Sequence, residues 1–188
     1  AELEGGEPVS RWGISVDKPA EVGLEEIRFP RLCALRRQAE ERLAVPAWMG
    51  QQLADPRKTL GGTEGRGRRL AWDYPGVLSL QCLAYYQNGG CGLSTSCDDA
   101  AASRKTFAFW GTAGGDVHHE VIHYPVGTAG EAARYALPYR VSLGVFRGDW
   151  ITAAERYRAW AIRQPWALES RLRRGLVPAW VLETGLWQ

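Results

Sequence analysis

The chain has 188 residues, 45% of them hydrophobic and 23% charged, with a formal net charge of +2. Such a chain can build one domain with a sizeable core, or one domain and part of another. The near-neutral balance offers no general attraction for nucleic acid or an anionic membrane, and no apolar run approaches the 18 residues of a membrane span.

In chain order, most of the first 146 residues divide into short strands separated by turn signals. Residues 12–16 and 26–29 are strand candidates, the second stopped by Pro30. Residues 36–44 suit either a short helix or a polar loop. The Gly- and Arg-rich stretch 61–69 lacks the G-K-[ST] ending of a phosphate loop and is expected to be an exposed flexible loop. Leu78, Leu80, Cys82, Ala84 and Tyr86 alternate along one strand face, Asn88-Gly89-Gly90 turns the chain, and residues 92–96 supply the partner strand. Residues 106–110 form a further strand. Tyr139, Val141, Leu143 and Val145 alternate with Arg140, Ser142, Gly144 and Phe146, the pattern of a half-buried strand.

The pattern then becomes helical. Asp149 is placed to cap a helix over 151–163, with Ala153, Ala154, Tyr157, Trp160 and Ala161 on one stripe and Pro165 as its stop. A shorter turn over 167–174 ends at Gly175, a glycine suited to the left-handed C′ position. Residues 176–183 are expected to form a mostly buried strand through Val177, Trp180, Val181 and Leu182. The chain opens at Ala1 on a charged stretch, with no signal-peptide pattern, and closes on Gly185-Leu186-Trp187-Gln188. Those ends favour a piece of a longer protein.

Chemistry-bearing residues are few. The cysteines, Cys33, Cys82, Cys91 and Cys97, show no C-x-x-C spacing, and their disulfide state does not follow from sequence. All but three of the 23 basic residues are arginine, a bias better ascribed to genome composition than to binding. Nine tryptophans serve strand and core packing first, and stacking on sugar rings second. Asp98 and Asp99 are expected to be solvated turn residues rather than a catalytic acid and base.

The three histidines, His118, His119 and His123, fall within residues 118–123, where His119-Glu120-Val121-Ile122-His123 matches H-E-x-x-H. On a helix the two histidines would lie about 6 Å apart and could share a zinc ion. On a strand they would be roughly 13 Å apart. Gly114-Gly115 before the motif, Pro125 after it and the β-branched Val117, Val121 and Ile122 favour a strand. The longer metalloprotease pattern also needs glycine at 126 and histidine at 129, where this chain has Val126 and Ala129. Glu131 and Glu155 are poor candidates for a third ligand. The histidines are therefore expected to be partly exposed polar strand residues, with no metal and no cofactor.

Several phrases occur in one order: Phe29-Pro30-Arg31-Leu32, Val45-Pro46-Ala47-Trp48-Met49-Gly50, Tyr74-Pro75-Gly76, Gln81 to Tyr86, Gly90 to Thr95, and Gly144-Val145-Phe146-Arg147-Gly148-Asp149-Trp150 leading to Tyr157-Arg158-Ala159-Trp160-Ala161. Over residues 10–187 this resembles the region before the catalytic barrel of bacterial glycoside hydrolases related to the endo-α-N-acetylgalactosaminidase clan, including a large uncharacterised domain family. The resemblance implies a mainly β fold: an antiparallel β-sandwich similar to the galactose-mutarotase supersandwich, then linker helices and the first strand of a (β/α)8 barrel. The implied divisions are 1–147 for the sandwich, 148–175 for the linker helices and 176–188 for the start of the barrel. The carboxylate pair of a retaining glycosidase would sit on later barrel strands, so no catalytic residue is carried over. Glu183 and Trp187, at the C-terminal end of the expected barrel strand, are the candidate sugar contacts.

The function implied is a non-catalytic part of a bacterial glycoside hydrolase, packed against its own downstream barrel. Its partner would be carbohydrate, not nucleic acid or membrane. The compartment is not fixed, with secretion or the periplasm in view. The alternatives are a stand-alone carbohydrate-binding sandwich and, least favoured, a zinc protease built on 119–123.

Overall fold

The computed structural model describes residues 1–3, 6, 8–61, 67–128, 130 and 133–185. The strands are β1 (Glu2–Leu3), β2 (Val9–Trp12), β3 (Ser15–Asp17), β4 (Ile27–Leu35), β5 (Glu41–Val45), β6 (Gln51–Ala54), β7 (Arg69–Tyr74), β8 (Cys82–Gln87), β9 (Cys91–Cys97), β10 (Lys105–Gly111), β11 (Val117–His123), β12 (Arg134–Ala136) and β13 (Val141–Arg147). The helices are α1 (Pro56–Gly61), α2 (Trp150–Ala161), α3 (Pro165–Leu168) and α4 (Ala179–Glu183). One sheet has the order β1-β2-β13-β9-β8-β5-β6, a second β4-β11-β10-β7, and β12 pairs with β3. The pairings between these strands are antiparallel.

The two larger sheets face each other across a shared apolar core. Leu43, Leu83, Tyr85 and Val141 enter it from one sheet, and Trp72, Phe107, Phe109, Val117 and Val121 from the other. The chain is thus mainly β, with the two-sheet antiparallel arrangement of a sandwich. Strand β8 is buried on both faces. Leu83 and Tyr85 enter the inter-sheet core, while Ala84 and Tyr86 pack with Phe146 under Ala153 of α2. Of the alternation expected from Leu78 to Tyr86, Ala84 and Tyr86 thus lie on the face under the helix, Leu78 is buried in the inter-sheet core, and Leu80, before β8 begins, is 42% exposed. β13 is sandwiched in the same way: Val141 and Leu143 are buried, Phe146 packs with the α2 cluster, and Val145 at the strand end is 60% exposed. Where β8 and β9 form the expected hairpin, Tyr86 pairs with Gly92 and Cys82 with Ser96.

Several boundaries differ from expectation. β4 does not stop at Pro30, whose peptide bond with Phe29 is cis. The strand lies at a sheet edge and the register slips between Glu120 and Ile122 of its partner, so a residue without an N–H is accommodated. Residues 12–16 are divided between β2 and β3. The end of 36–44 is strand β5, its pattern of alternating Glu41, Leu43 and Val45 buried. Of the stretch 61–69, Gly61 closes α1, Arg69 opens β7, and residues 62–66 lie outside the described residues.

The largest departure lies in residues 176–183. Ala179–Glu183 form helix α4 after Pro178, with Trp180 63% and Leu182 60% exposed. The expected buried strand is absent there, because no neighbouring strand in the described residues offers a ladder and a short helix satisfies its own backbone. Helix α2 forms as its sequence predicts: Asp149 Oδ1 accepts the Ile151 amide at 2.9 Å, and Ala153 and Tyr157 are its buried residues. Gly175 takes the left-handed conformation at φ +67°, closing the turn after α3.

Candidate functional site

The H-E-x-x-H string lies on strand β11, so its residues alternate between two faces. His119 and His123 point into the inter-sheet core, while Glu120 points out through the other face of the sheet. The expected partial exposure fails for both histidines, which are 0% and 1% exposed. His119 Nδ1 donates to the Ala108 carbonyl at 2.9 Å, leaving Nε2 to accept from the Thr95 hydroxyl at 3.1 Å. His123 has the opposite tautomer: Nε2 donates to the Phe29 carbonyl at 2.6 Å and Nδ1 accepts from the Tyr139 hydroxyl at 2.7 Å. Burial pushes both imidazoles down to about 4, so both are neutral. Each lone pair that could bind a metal already holds a hydroxyl, and Glu120 is on the wrong face to activate water between them. Among the described residues there is no group of three or more His, Cys, Asp or Glu placed to hold a metal ion. Glu155 is exposed on α2, and Glu131 and Ala129 lie outside the described residues.

Asp98 and Asp99 are likewise not solvated turn residues. Asp99 is 4% exposed and meets Lys105, itself fully buried, at 2.7 Å. The Lys105 ammonium also donates to Gln81 Oε1 and the Ser103 carbonyl, and it lies 4.9 Å from the Tyr74 ring centroid and 4.7 Å from that of Tyr139. Three acceptors and two π faces satisfy this cation, so it pins the 99–103 loop against the core. Asp98 accepts from Ser142 Oγ at 2.8 Å and pairs with Arg11 at 3.5 Å. All four cysteines are free thiols; Cys82 and Cys97 are buried, and burial pushes the Cys82 thiol up to about 12.

Of the candidate sugar contacts, Glu183 is exposed at the end of α4, and Trp187 lies outside the described residues. What the fold does assemble is a groove of about 490 Å³ on the outer face of the larger sheet, between the 46–52 turn and α2. Trp48, Met49, Leu80 and Trp150 give it an apolar wall, and Gln51, Gln52 and Ser79 a polar rim. Among the described residues no acidic, basic or histidine side chain lines it, so those residues can bind but supply no carboxylate or imidazole as general acid or base.

The turn that presents Trp48 is tightly built. The Trp48 amide donates to Val77 O and the Gly50 amide to Ala47 O, while Trp48 has φ +57° and Gly50 φ +98°. A tryptophan in the left-handed region is strained, yet its side chain is 82% exposed beside the fully exposed Met49. Sequence reading missed this pair as a site. The usable signal was a large aromatic and a methionine squeezed between Pro46 and Gly50, where neither could enter a core.

The opposite wall is held by the junction after β13. Gly148 N donates to Gly90 O at 2.9 Å, which ties the start of the helical segment to the β8–β9 turn. Arg156 reaches back from α2 to the Val145 carbonyl at 3.2 Å and to Ser94 Oγ at 3.4 Å. Exposed apolar residues continue along the helices that follow: Ile151, Trp166, Leu168, Leu172, Leu176 and Trp180 are each at least 46% exposed. They differ from the scattered exposed apolar residues normal on any surface, because they fall within 30 residues of chain that begins at the groove. No helix among the described residues is long and apolar enough to cross a membrane.

The chain matches no curated protein. A family model described as a domain of unknown function (DUF6259) matches residues 135–188, a stretch that begins within β12 and takes in β13, the capped junction and helices α2 to α4.

Proposed function

We propose that this chain is a non-catalytic β-sandwich part of a bacterial carbohydrate-cleaving hydrolase, and that its groove and helical segment dock the catalytic (β/α)8 domain of the same protein. The sandwich would then be of the galactose-mutarotase type. The observation that carries the reading is the number of exposed apolar side chains between Trp150 and Leu182, of which Trp150 lines the groove together with Trp48 and Met49. Such a surface stabilises a partner by removing apolar area from water, and the helices that bear it lead toward the C-terminal residues. The ordered phrases that end in Gly144 to Trp150 and Tyr157 to Ala161 support the same reading. The acid and base of hydrolysis would be supplied by the docked domain, since the described residues of the groove include neither.

The test is to express the product of the full reading frame and the 188-residue chain side by side on a panel of aryl glycosides. Hydrolysis by the longer product alone is expected. Equal hydrolysis by both, or a reading frame with no further β/α units, would overturn the proposal.

A second reading, a carbohydrate-binding module, is favoured by one observation: the indoles of Trp48 and Trp150 share a groove rimmed by amides. Saturable binding of neutral glycans to the 188-residue chain, lost in Trp48→Ala, would support it over docking.

A further inference from the structure

The second sheet carries an unusual cluster on the face turned away from the core. Register places Arg31 of β4 opposite Glu120 of β11, and Arg69 of β7 opposite Trp110 of β10, which in turn faces His118 of β11. Glu120 is 0% exposed, yet it points outward; the arginines themselves bury it. Arg69 Nη2 lies 2.8 Å from its Oε1 and Arg31 Nε 2.9 Å from its Oε2. The Arg31 contact is close enough for an ion pair but misaligned for a hydrogen bond, so Oε2 accepts none. Arg28 stands 3.6 Å from Oε1 and is engaged mainly by Glu26 at 2.7 Å.

Among the described residues, three guanidinium groups therefore meet two carboxylates, which leaves one positive charge in excess. The guanidinium carbons of Arg31 and Arg69 lie 5.3 and 5.5 Å from the Trp110 ring centroid, so the indole and Glu120 together fix both forks. Trp110 is stacked on His118 at 5.1 Å and 12°. His118 Nδ1 accepts the Ala34 amide at 3.2 Å, which puts the proton of the neutral ring on Nε2, a buried donor with no acceptor among the described residues. Arg31 and Arg69 remain 53% and 39% exposed, and each spends one nitrogen on Glu120. Their other N–H groups are pre-positioned donors that need not be ordered at the moment of binding.

We propose that Arg31 and Arg69, oriented by Glu120 and Trp110, bind the single negative charge of an acidic saccharide, a uronate carboxylate. One monoanion balances the cluster, and planar oxyanions match the guanidinium fork. The saccharide as the source of that anion rests on the carbohydrate reading above; the anion site itself rests on the cluster.

The test is calorimetric titration of the 188-residue chain with sodium sulfate, trigalacturonate and the neutral galactotriose at one fixed ionic strength, so that general screening is constant. Sulfate and trigalacturonate are expected to bind and galactotriose not. Arg31→Gln and Arg69→Gln should each weaken binding about tenfold, the effect of losing one charge-assisted contact. Because loss of an arginine leaves Glu120 poorly compensated, Arg31→Lys and Arg69→Lys serve as folded controls. They keep the charge, lose the fork, and should melt as the parent does while binding several-fold more weakly. Equal binding of acidic and neutral trisaccharide, unchanged affinity in all four variants, or binding of sulfate without trigalacturonate would each overturn the proposal. None of these outcomes bears on hydrolysis by the full reading-frame product, so failure here is distinguishable from failure of the support-domain reading.

Discussion

Gly144 leaves open the space through which Arg156 crosses β13. A Cβ built on Gly144 would run into Nη1 of Arg156 and come within 2.9 Å of Ser94 Oγ. The glycine in the junction sequence is thus explained by the close approach of a helix side chain. Gly144→Val should displace Arg156 and loosen α2, lowering stability by about 1–3 kcal/mol, the usual cost of overpacking. Much of that cost should vanish when Arg156 is already alanine. A double-mutant cycle by urea unfolding checks this, and strict additivity would mean that the two residues do not share the space.

The neutral core histidines give a signed pH dependence. Their folded values of about 4 lie below the ordinary value near 6.5, so between those limits the unfolded chain binds protons that the folded chain does not. The histidine contribution should be flat above about pH 6.5 and fall as pH drops toward 4, by on the order of 3 kcal/mol for each imidazole. The carboxylates add a later loss. Burial alone would raise Asp99 and Glu41, but Lys105 and Arg57 hold them below the usual carboxylate range, so their contribution fades only as pH falls below about 4. Urea midpoints at pH 7.5 and 5 that coincide would contradict the assigned neutral tautomers.

Lys105 is a costly side chain to remove, because it neutralises a buried carboxylate. Lys105→Ala leaves the buried Asp99 carboxylate without its counter-charge, holding only the Ala101 and Ser103 amides, with an expected loss of about 3–5 kcal/mol. Lys105→Met with Asp99→Asn should be less damaging than the sum of the single changes, since no lone charge then remains. Denaturant unfolding of the set decides it.

Trp48 separates stability from binding. Asparagine tolerates the left-handed backbone better than tryptophan does, and the indole, 82% exposed, contributes little burial. Trp48→Asn should melt at or above the parent temperature while weakening whatever occupies the groove. A melting point lowered by several degrees would show that Trp48 belongs to the fold.

Glu183 is exposed at the end of α4, so Glu183→Gln should leave the stability of this chain within about 0.5 kcal/mol. Its role as a sugar contact is read from kcat/KM in the product of the full reading frame, where an unchanged value would remove it.

Elements whose cause is local are legible in the amino-acid sequence. The β8–β9 hairpin follows from its turn and alternation, β11 from its β-branched residues between glycines and proline, and α2 from the Asp149 cap and its apolar stripe. Tertiary structure alone decided what each strand face meets. Period-two patterning says that His119 and Glu120 point opposite ways; it does not say that one enters a core and the other is roofed by arginines from β4 and β7. The same limit applies at residues 176–183, where an apolar run suits strand or helix equally until a neighbouring strand is present or absent. The groove at Trp48 lies beyond local pattern altogether, because its walls are about 100 residues apart in the chain and meet only when α2 crosses the sheet.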